Sequence, residues 1–382
     1  MKKILLVSRD PGGANTIIPL IRPLENHGFE VDLWGKDTAL TKYVAAGLIG
    51  KDISQAAQPI TELSMEKFLG QIRPQCIITG TSADDPTEKY IWASASKLNI
   101  PTFAILDQWV NYGIRFSRYG VAELAEYQKN PTHPYVPYRI LVMDDYAKQE
   151  MEAIGLPGEK IVVTGQPYFQ TMREYQSRWN SQPNASTILQ KLGIPDHHRL
   201  IVFASEPIIK TYHESNTTTH YWGYTEHTIF HALHQALQRM LAKAQQPISL
   251  LIKLHPKEDR AMYQSILADL KPIAGLQIEL DQTMPPWDLI LSSHLVCGMS
   301  SMFLLEAWIF QKPVLSIQIG LCRENPLILS RRKILDTILD METLQQKLEQ
   351  TILQPPVSQS PLFQIISNPV ERVIQVVESI VR

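Results

Sequence analysis

Short apolar runs alternate along the chain with longer segments whose apolar positions recur every three or four residues, a pattern that predicts an α/β protein. Lys3–Ser8, Glu30–Trp34, Cys76–Thr79, Pro101–Leu106, Tyr138–Met143 and Lys160–Thr164 read as a first set of strands. Leu200–Ala204, Ile248–Leu254, Leu276–Leu280, Leu295–Cys297 and Val314–Ile317 read as a second. Helical periodicity predicts Thr16–Asn26, Thr38–Ala46, Ile60–Gln71, Thr87–Leu98, Tyr146–Ile154, Glu226–Ala244 and Met262–Leu270 between them, with Leu335–Leu353 and Pro361–Val381 closing the chain. Two successive β-α-β series predict two doubly wound, parallel-sheet, Rossmann-like domains. The expected boundaries are 1–167 for the first domain, 168–198 for a connection and 199–355 for the second. The remainder, 356–382, is expected to cross back to the first domain as a helix.

Polar loops follow several of the first strands: Arg9–Asn15, Gly80–Pro86 and Asp107–Tyr112. Carboxyl ends of parallel strands are where open α/β sheets build sites. Asp10 and Asp107 are candidate acid-base groups there, and Gly12 and Gly13 permit close backbone approach. Asn15, Ser82 and Trp109 complete this loop set. Turn chemistry explains Asp10-Pro11-Gly12 equally well, and Asp107 with Trp109 also reads as a capped turn with an aromatic plug. The stretch Tyr112–Pro137, with Arg115, Arg118 and Tyr135, is loop-rich and could cover the cleft or meet an acceptor, but reads first as a basic-aromatic surface cover. Asp144-Asp145 precedes a helix and suits capping as well as a metal.

The second half centres on Leu295–Gln318, which reads as strand, tight loop, helix, strand. Gly298, Ser300 and Ser301 stand where the helix begins, so free N–H groups and the positive end of the helix dipole would suit a phosphate. Glu306, five residues after Ser301, is placed to meet ribose hydroxyls. A plain strand-turn-helix with Ser300 as cap and Glu306 in solvent accounts for the same residues. The strand Ile248–Leu254 carries Lys253 and runs straight into His255-Pro256. The polar insert Lys210–Thr225, with His213, His220, Tyr221 and Trp222, reads as a lid or exposed loop. His227 and His231 lie one turn apart on a helix, but no HExxH pattern or cysteine accompanies them, so they read as a solvated face and no metal is expected.

At 382 residues, 44% hydrophobic and 19% charged, the chain is long enough for two globular cores. A net charge of -2 argues against a dedicated nucleic-acid binder. Cys76, Cys297 and Cys322 show no paired spacing and are expected as buried thiols in a reducing cytosol. The apolar start breaks at Ser8, too early for an export signal, and no run approaches a membrane span. A cytoplasmic protein is expected, with peripheral membrane contact left open.

Four stretches, taken in order, resemble the GT-B glycosyltransferases and their structural relatives, the non-hydrolysing UDP-GlcNAc 2-epimerases. Asp10–Asn15 is similar to the Gly-rich loop facing the acceptor. Val162–Pro167 is similar to the stretch that closes the first domain. Ile252–Pro256 resembles the Lys/Arg-x-His-Pro strand end. Gly298–Ser301 with Glu306-Ala307 and Lys312-Pro313-Val314 resembles the donor-binding block. The resemblance implies two domains facing across a cleft and a nucleotide-sugar donor held by the second. Ser300 and Ser301 would face the diphosphate, Glu306 the ribose, and His255 with Lys253 the leaving nucleotide. Asp10 or Asp107 would act as base toward a glycan or lipid-linked acceptor, with no cofactor. Departures are Gly at 298 in place of the first glutamate of the paired E-x7-E, Gln311 where Gly is usual, and Asp107–Tyr112 in place of the epimerase's His-Glu-Ala-Gly-Leu-Arg. Glycosyl transfer is therefore the first expectation, with a 2-epimerase-like isomerase or a catalytically inactive sugar-nucleotide binder as alternatives.

Overall fold

The computed structural model describes residues 2–182, 184–212, 221–244, 246–353 and 366–381. They divide into two compact units, the second beginning at Met172, with the C-terminal helix belonging to the first.

The first unit is built on seven strands: β1 (Lys2–Ser8), β2 (Phe29–Gly35), β3 (Lys51–Asp52), β4 (Cys76–Thr79), β5 (Thr102–Ile105), β6 (Arg139–Val142) and β7 (Ile161–Val163). All pair in parallel, in the order β3-β2-β1-β4-β5-β6-β7. The near-continuous apolar character of the central strands follows from this, because helices cover both faces of a parallel sheet. Ile4, Leu6, Cys76, Ile78 and Phe103 are wholly buried on one side of it. The C-terminal helix Pro369–Val381 lays Val373, Ile374 and Val377 onto the same core. Its apolar residues recur at the spacing of one helix face, so a segment distant in sequence completes the first unit.

The second unit repeats the plan with β8 (Arg199–Ala204), β9 (Ile248–Lys253), β10 (Leu276–Asp281), β11 (Leu295–Gly298), β12 (Val314–Ile317) and β13 (Thr337–Ile338). Its parallel order is β10-β9-β8-β11-β12-β13. In both sheets the winding reverses beside the unit's first strand, between β1 and β4 and between β8 and β11. Loops leaving those strands at their carboxyl ends diverge there, which opens the crevice typical of such folds.

Several local expectations are corrected. Asp10–Asn15 is not an extended loop. Asp10 is the extended N-cap, Pro11 takes the first helical position, and Gly12, Gly13 and Asn15 lie inside the helix Pro11–Ile17. The segment Tyr112–Pro137 is not mere surface cover: Ile114, Arg115 and Phe116 are buried, and Tyr112–Arg115 and Leu124–Lys129 are helical. Asn184–Lys191 and Ile208–Tyr212 are also short helices. The two-residue edge strands β3 and β13 are too brief to leave an apolar run. Cys76 and Cys297 are buried, but Cys322 is exposed. His213 and His220 lie outside the described residues, as does the start of the expected helix at Pro361.

Truncating Ile374 to Ala should cost about 2–4 kcal/mol, the usual range for a buried large-to-small change. Native-state amide exchange at Ile4–Leu6 measures it locally. A loss below about 1 kcal/mol would show that this helix does not complete the first core.

Candidate functional sites at the two switch points

In the second unit, β8 ends at Ala204 and the chain turns through Ser205 and Glu206, while β11 ends at Gly298 and turns through Met299–Ser301 into the helix Met302–Ile309. The two strands run unusually close. A Cβ on residue 298 would lie 2.8 Å from the Ala204 carbonyl oxygen, so Gly298 is required by packing alone. Ser301 is the N-cap, its Oγ accepting the Phe303 N–H at 3.2 Å. The remaining donors of the loop are not idle. Glu206 accepts the Ser300 N–H at 2.6 Å and the Ser300 hydroxyl at 3.0 Å, and the N–H groups of Ser301 and Met299 also favour its ionised form. A carboxyl group therefore sits on the start of this helix, where the dipole and the first N–H groups favour its charged form. Burial nonetheless raises the Glu206 pKa above the ordinary glutamate value, against the pull of those donors. Glu206 escaped the sequence reading because it lies about ninety residues upstream, and only the β8–β11 pairing brings it to the loop.

The neighbouring strand end is tied by a second carboxylate. Glu258 accepts the Ser205 hydroxyl at 2.6 Å and the His255 N–H at 2.7 Å, so it fastens the end of β8 to the end of β9. Burial, with Glu226 and Glu206 nearby, pushes Glu258 up to about 7. His255 Nδ1 accepts the Lys257 N–H at 3.1 Å, which leaves the proton of the neutral ring on Nε2. Burial, then the Lys257 charge, lowers the pKa of this imidazole, so it is neutral near pH 7. Lys253 donates to Asp281 at 2.8 Å and to the Met284 carbonyl at 2.9 Å, so its charge is already matched. Glu306 is half-buried on the Met302–Ile309 helix.

In the first unit, Asp107 follows β5 and accepts from the buried Arg115 at 2.7 Å. Arg115 also donates to the Thr81 carbonyl and, at 3.0 Å, to its hydroxyl, joining the loops after β4 and β5. The other oxygen of Asp107 lies over the Pro11–Ile17 helix, where a Cβ on residue 12 would collide with it. Gly12 thus lets Asp107 reach the first loop. Asp10 is half-exposed and paired with Arg9. Behind these lies Glu88, fully buried at the start of the Thr87–Lys97 helix. One of its oxygens accepts the Ser82 N–H. The other finds no hydrogen-bond partner among the described residues and lies against the seam where Gly13 meets Gly80. Burial first, then the nearby charges of Asp10, Asp107 and Asp85, push Glu88 up to about 8. Sequence reading passed over Glu88 because a glutamate in the first turn of a helix is unremarkable.

Two loop candidates turn out to be internal. Trp109 is buried, stacks on Phe169 and donates its indole N–H to Asp144 at 3.1 Å, so its ring is a plug and does not face the rim. Ser82 is buried and engaged with Glu88 and Asp85. Asp144 caps the following helix through the Ala147 N–H at 2.8 Å. Asn15 is half-buried on the first helix.

Solved structures share this architecture over nearly the whole chain. UDP-GlcNAc 2-epimerase from Neisseria meningitidis, bound to UDP-GlcNAc, superposes with a TM-score of 0.70 at 15% identity, covering 99% of this chain and 100% of that one. The enzyme of the same name from Methanocaldococcus jannaschii gives 0.68 at 14% identity, covering 99% of each chain. MurG from Acinetobacter baumannii gives 0.56 at 12% identity, with 99% of this chain and 100% of that one covered. No protein-family model matches the sequence, and neither does any curated protein. The chain has the GT-B fold of these proteins. Among the described residues no helix is long and apolar enough to cross a membrane.

Glu88 has a definite pH signature. Its folded pKa of about 8 lies above the ordinary 4.5, so the folded state holds a proton that the unfolded chain releases first. Stability from this group is full below pH 4.5 and is lost as pH rises toward 8. Glu88→Gln should therefore raise the melting temperature at pH 8 and flatten its decline between pH 5 and 8. A variant less stable than wild type at pH 8 would show that Glu88 is ionised in the fold.

Proposed function

We propose that this chain binds a nucleotide sugar and isomerises it, in the manner for which its 2-epimerase structural neighbours are named. The observation that carries the reading is the Met299–Ser301 loop, whose N–H groups hold a carboxylate at the start of a helix. A diphosphate presents the same charge to the same donors with more acceptor oxygens. On this reading it displaces the Glu206 carboxylate from Ser300 and Ser301, and Glu306 meets the ribose hydroxyls. Neutral His255 donates Nε2–H to a phosphate oxygen. Lys253, matched by Asp281, fixes the strand end that carries His255. The carboxylates of the first unit, Asp10 and Asp107, supply proton transfer. Inverting one carbon requires that its C–H proton pass to a base on one face and that a proton return from the other. Glu88, held protonated by burial, keeps the charge of this carboxylate group low.

Glycosyl transfer is the second reading. It is favoured by the likeness to MurG and by Asp107-Gln108-Trp109 standing where the epimerase sequences carry His-Glu-Ala-Gly-Leu-Arg. There Asp10 or Asp107 takes the proton of an acceptor hydroxyl while the nucleoside diphosphate leaves, its charge met by the Ser300–Ser301 donors.

Incubation with UDP-GlcNAc and no acceptor, followed by proton NMR, separates the two. A second anomeric signal from an epimeric nucleotide sugar is expected. Consumption that begins only when an acceptor is added supports transfer. Nucleotide sugars should also raise the melting temperature, and Glu306→Ala should remove most of that rise. No shift with any nucleotide sugar would contradict both readings.

A further inference from the structure

The second unit contains a cavity of about 650 Å³ at the opposite end of its sheet from the Glu206–Ser300 contact. Arg199 opens β8, His294 immediately precedes β11 and Pro313 immediately precedes β12, and all three line it. Since the strands are parallel, this is the amino edge of the sheet, away from the loops that follow β8 and β11. The volume is that of a small-molecule site.

Its wall is one-sided in charge. Arg199 and Lys312 line it, and no aspartate or glutamate stands among the described residues that do. Lys312 is anchored in the wall, donating to the Leu291 and Ser293 carbonyls at 2.7 and 3.0 Å. His294 Nδ1 accepts the Leu200 N–H at 3.0 Å, so the neutral ring carries its proton on Nε2 as a further donor. Burial, followed by the charges of Arg199 and Lys312, pushes this imidazole down to about 4, so the ring is neutral near pH 7. Burial also brings Lys312 down to about 8, so a bound anion would restore its charge at alkaline pH. Trp179, Phe310 and Ile352 supply apolar surface to the same lining. Trp179 belongs to the helix Pro167–Asn180, by which the chain leaves the first unit.

We propose that this cavity is a second ligand site, for a small phosphate or carboxylate anion that carries an apolar body. The anionic head meets Arg199 and Lys312, with the His294 N–H beside them, and the apolar body packs on Phe310 and Ile352. Matched donors hold an anion well in a half-enclosed space, and the apolar wall selects against bare inorganic ions. This site does not depend on the nucleotide-sugar reading: Lys312 and Pro313 belong to the stretch that resembles a donor-binding block, but none of the residues given a role in that reading lines the cavity.

Phenyl phosphate, inorganic phosphate and phenol are suitable probes in isothermal titration calorimetry on the full chain. Phenyl phosphate should bind in the millimolar range or tighter, inorganic phosphate more weakly, and phenol not measurably. Arg199→Ala should weaken phenyl phosphate by about tenfold, the effect of losing one charge-assisted hydrogen bond. Asn180→Trp, which adds bulk to the lining, should abolish binding. Both positions are exposed, so the fold tolerates these changes. No binding of phenyl phosphate to the wild type, or binding unaltered in both variants, would overturn the proposal.

Discussion

The second unit turns on a carboxylate laid across the start of a helix. Parallel strands β8 and β11 bring the ends of two sequence-distant segments together, at the point where the winding reverses, so the loop Met299–Ser301 lies beside Ser205 and Glu206. Those donors demand an anion. Glu206 supplies one from within the chain, at 2.6 Å from the Ser300 nitrogen. A side chain that satisfies a helix start can also mark where an external anion binds, because the donors and the dipole do not distinguish a carboxylate from a phosphate. Burial works against the Glu206 charge while several N–H groups support it, so a doubly charged diphosphate with additional oxygens competes well.

Around both switch points the protein concentrates acids that cost stability. Glu88, Glu206 and Glu258 all have pKa values raised by burial, and each also accepts hydrogen bonds from a loop or strand end. A structure selected for stability alone would replace such groups with apolar residues. Their clustering at the carboxyl edges of two sheets, with the apolar cores below them, is the pattern expected where proton transfer or anion binding is performed. The cations nearby are already engaged: Arg115 holds Asp107 and two loops, Lys253 holds Asp281, and Lys36 holds Asp85.

Much of the architecture was legible in the chain because parallel strands write themselves as short apolar runs. The central strands and the amphipathic helices follow from that signal, and the carboxyl-end loops follow from the strands. Two-residue edge strands left no run to read. The helix at Pro11 was hidden by its glycines, which are there because Asp107 and the Gly80 loop press against them. Trp109 beside Asp107 reads from the sequence either as a rim residue or as an aromatic plug, and its partners Asp144 and Phe169, from later strands and helices, decide for the plug. Gln311 stands where glycine is usual before Lys-Pro, and it takes the left-handed conformation that glycine would, with φ of 60°. Glu206 and Glu88 are the sharpest omissions. Neither has a local motif, and both acquire meaning only from strand order.

The most direct measurement is the backbone amide NMR spectrum of Ser300 and Ser301 during titration with UDP. If these N–H groups are the diphosphate site now held by Glu206, both resonances shift saturably, and Glu206→Gln alters their starting positions as well as the apparent affinity. Saturable UDP binding that leaves both amides unmoved, or no binding at all, would contradict it.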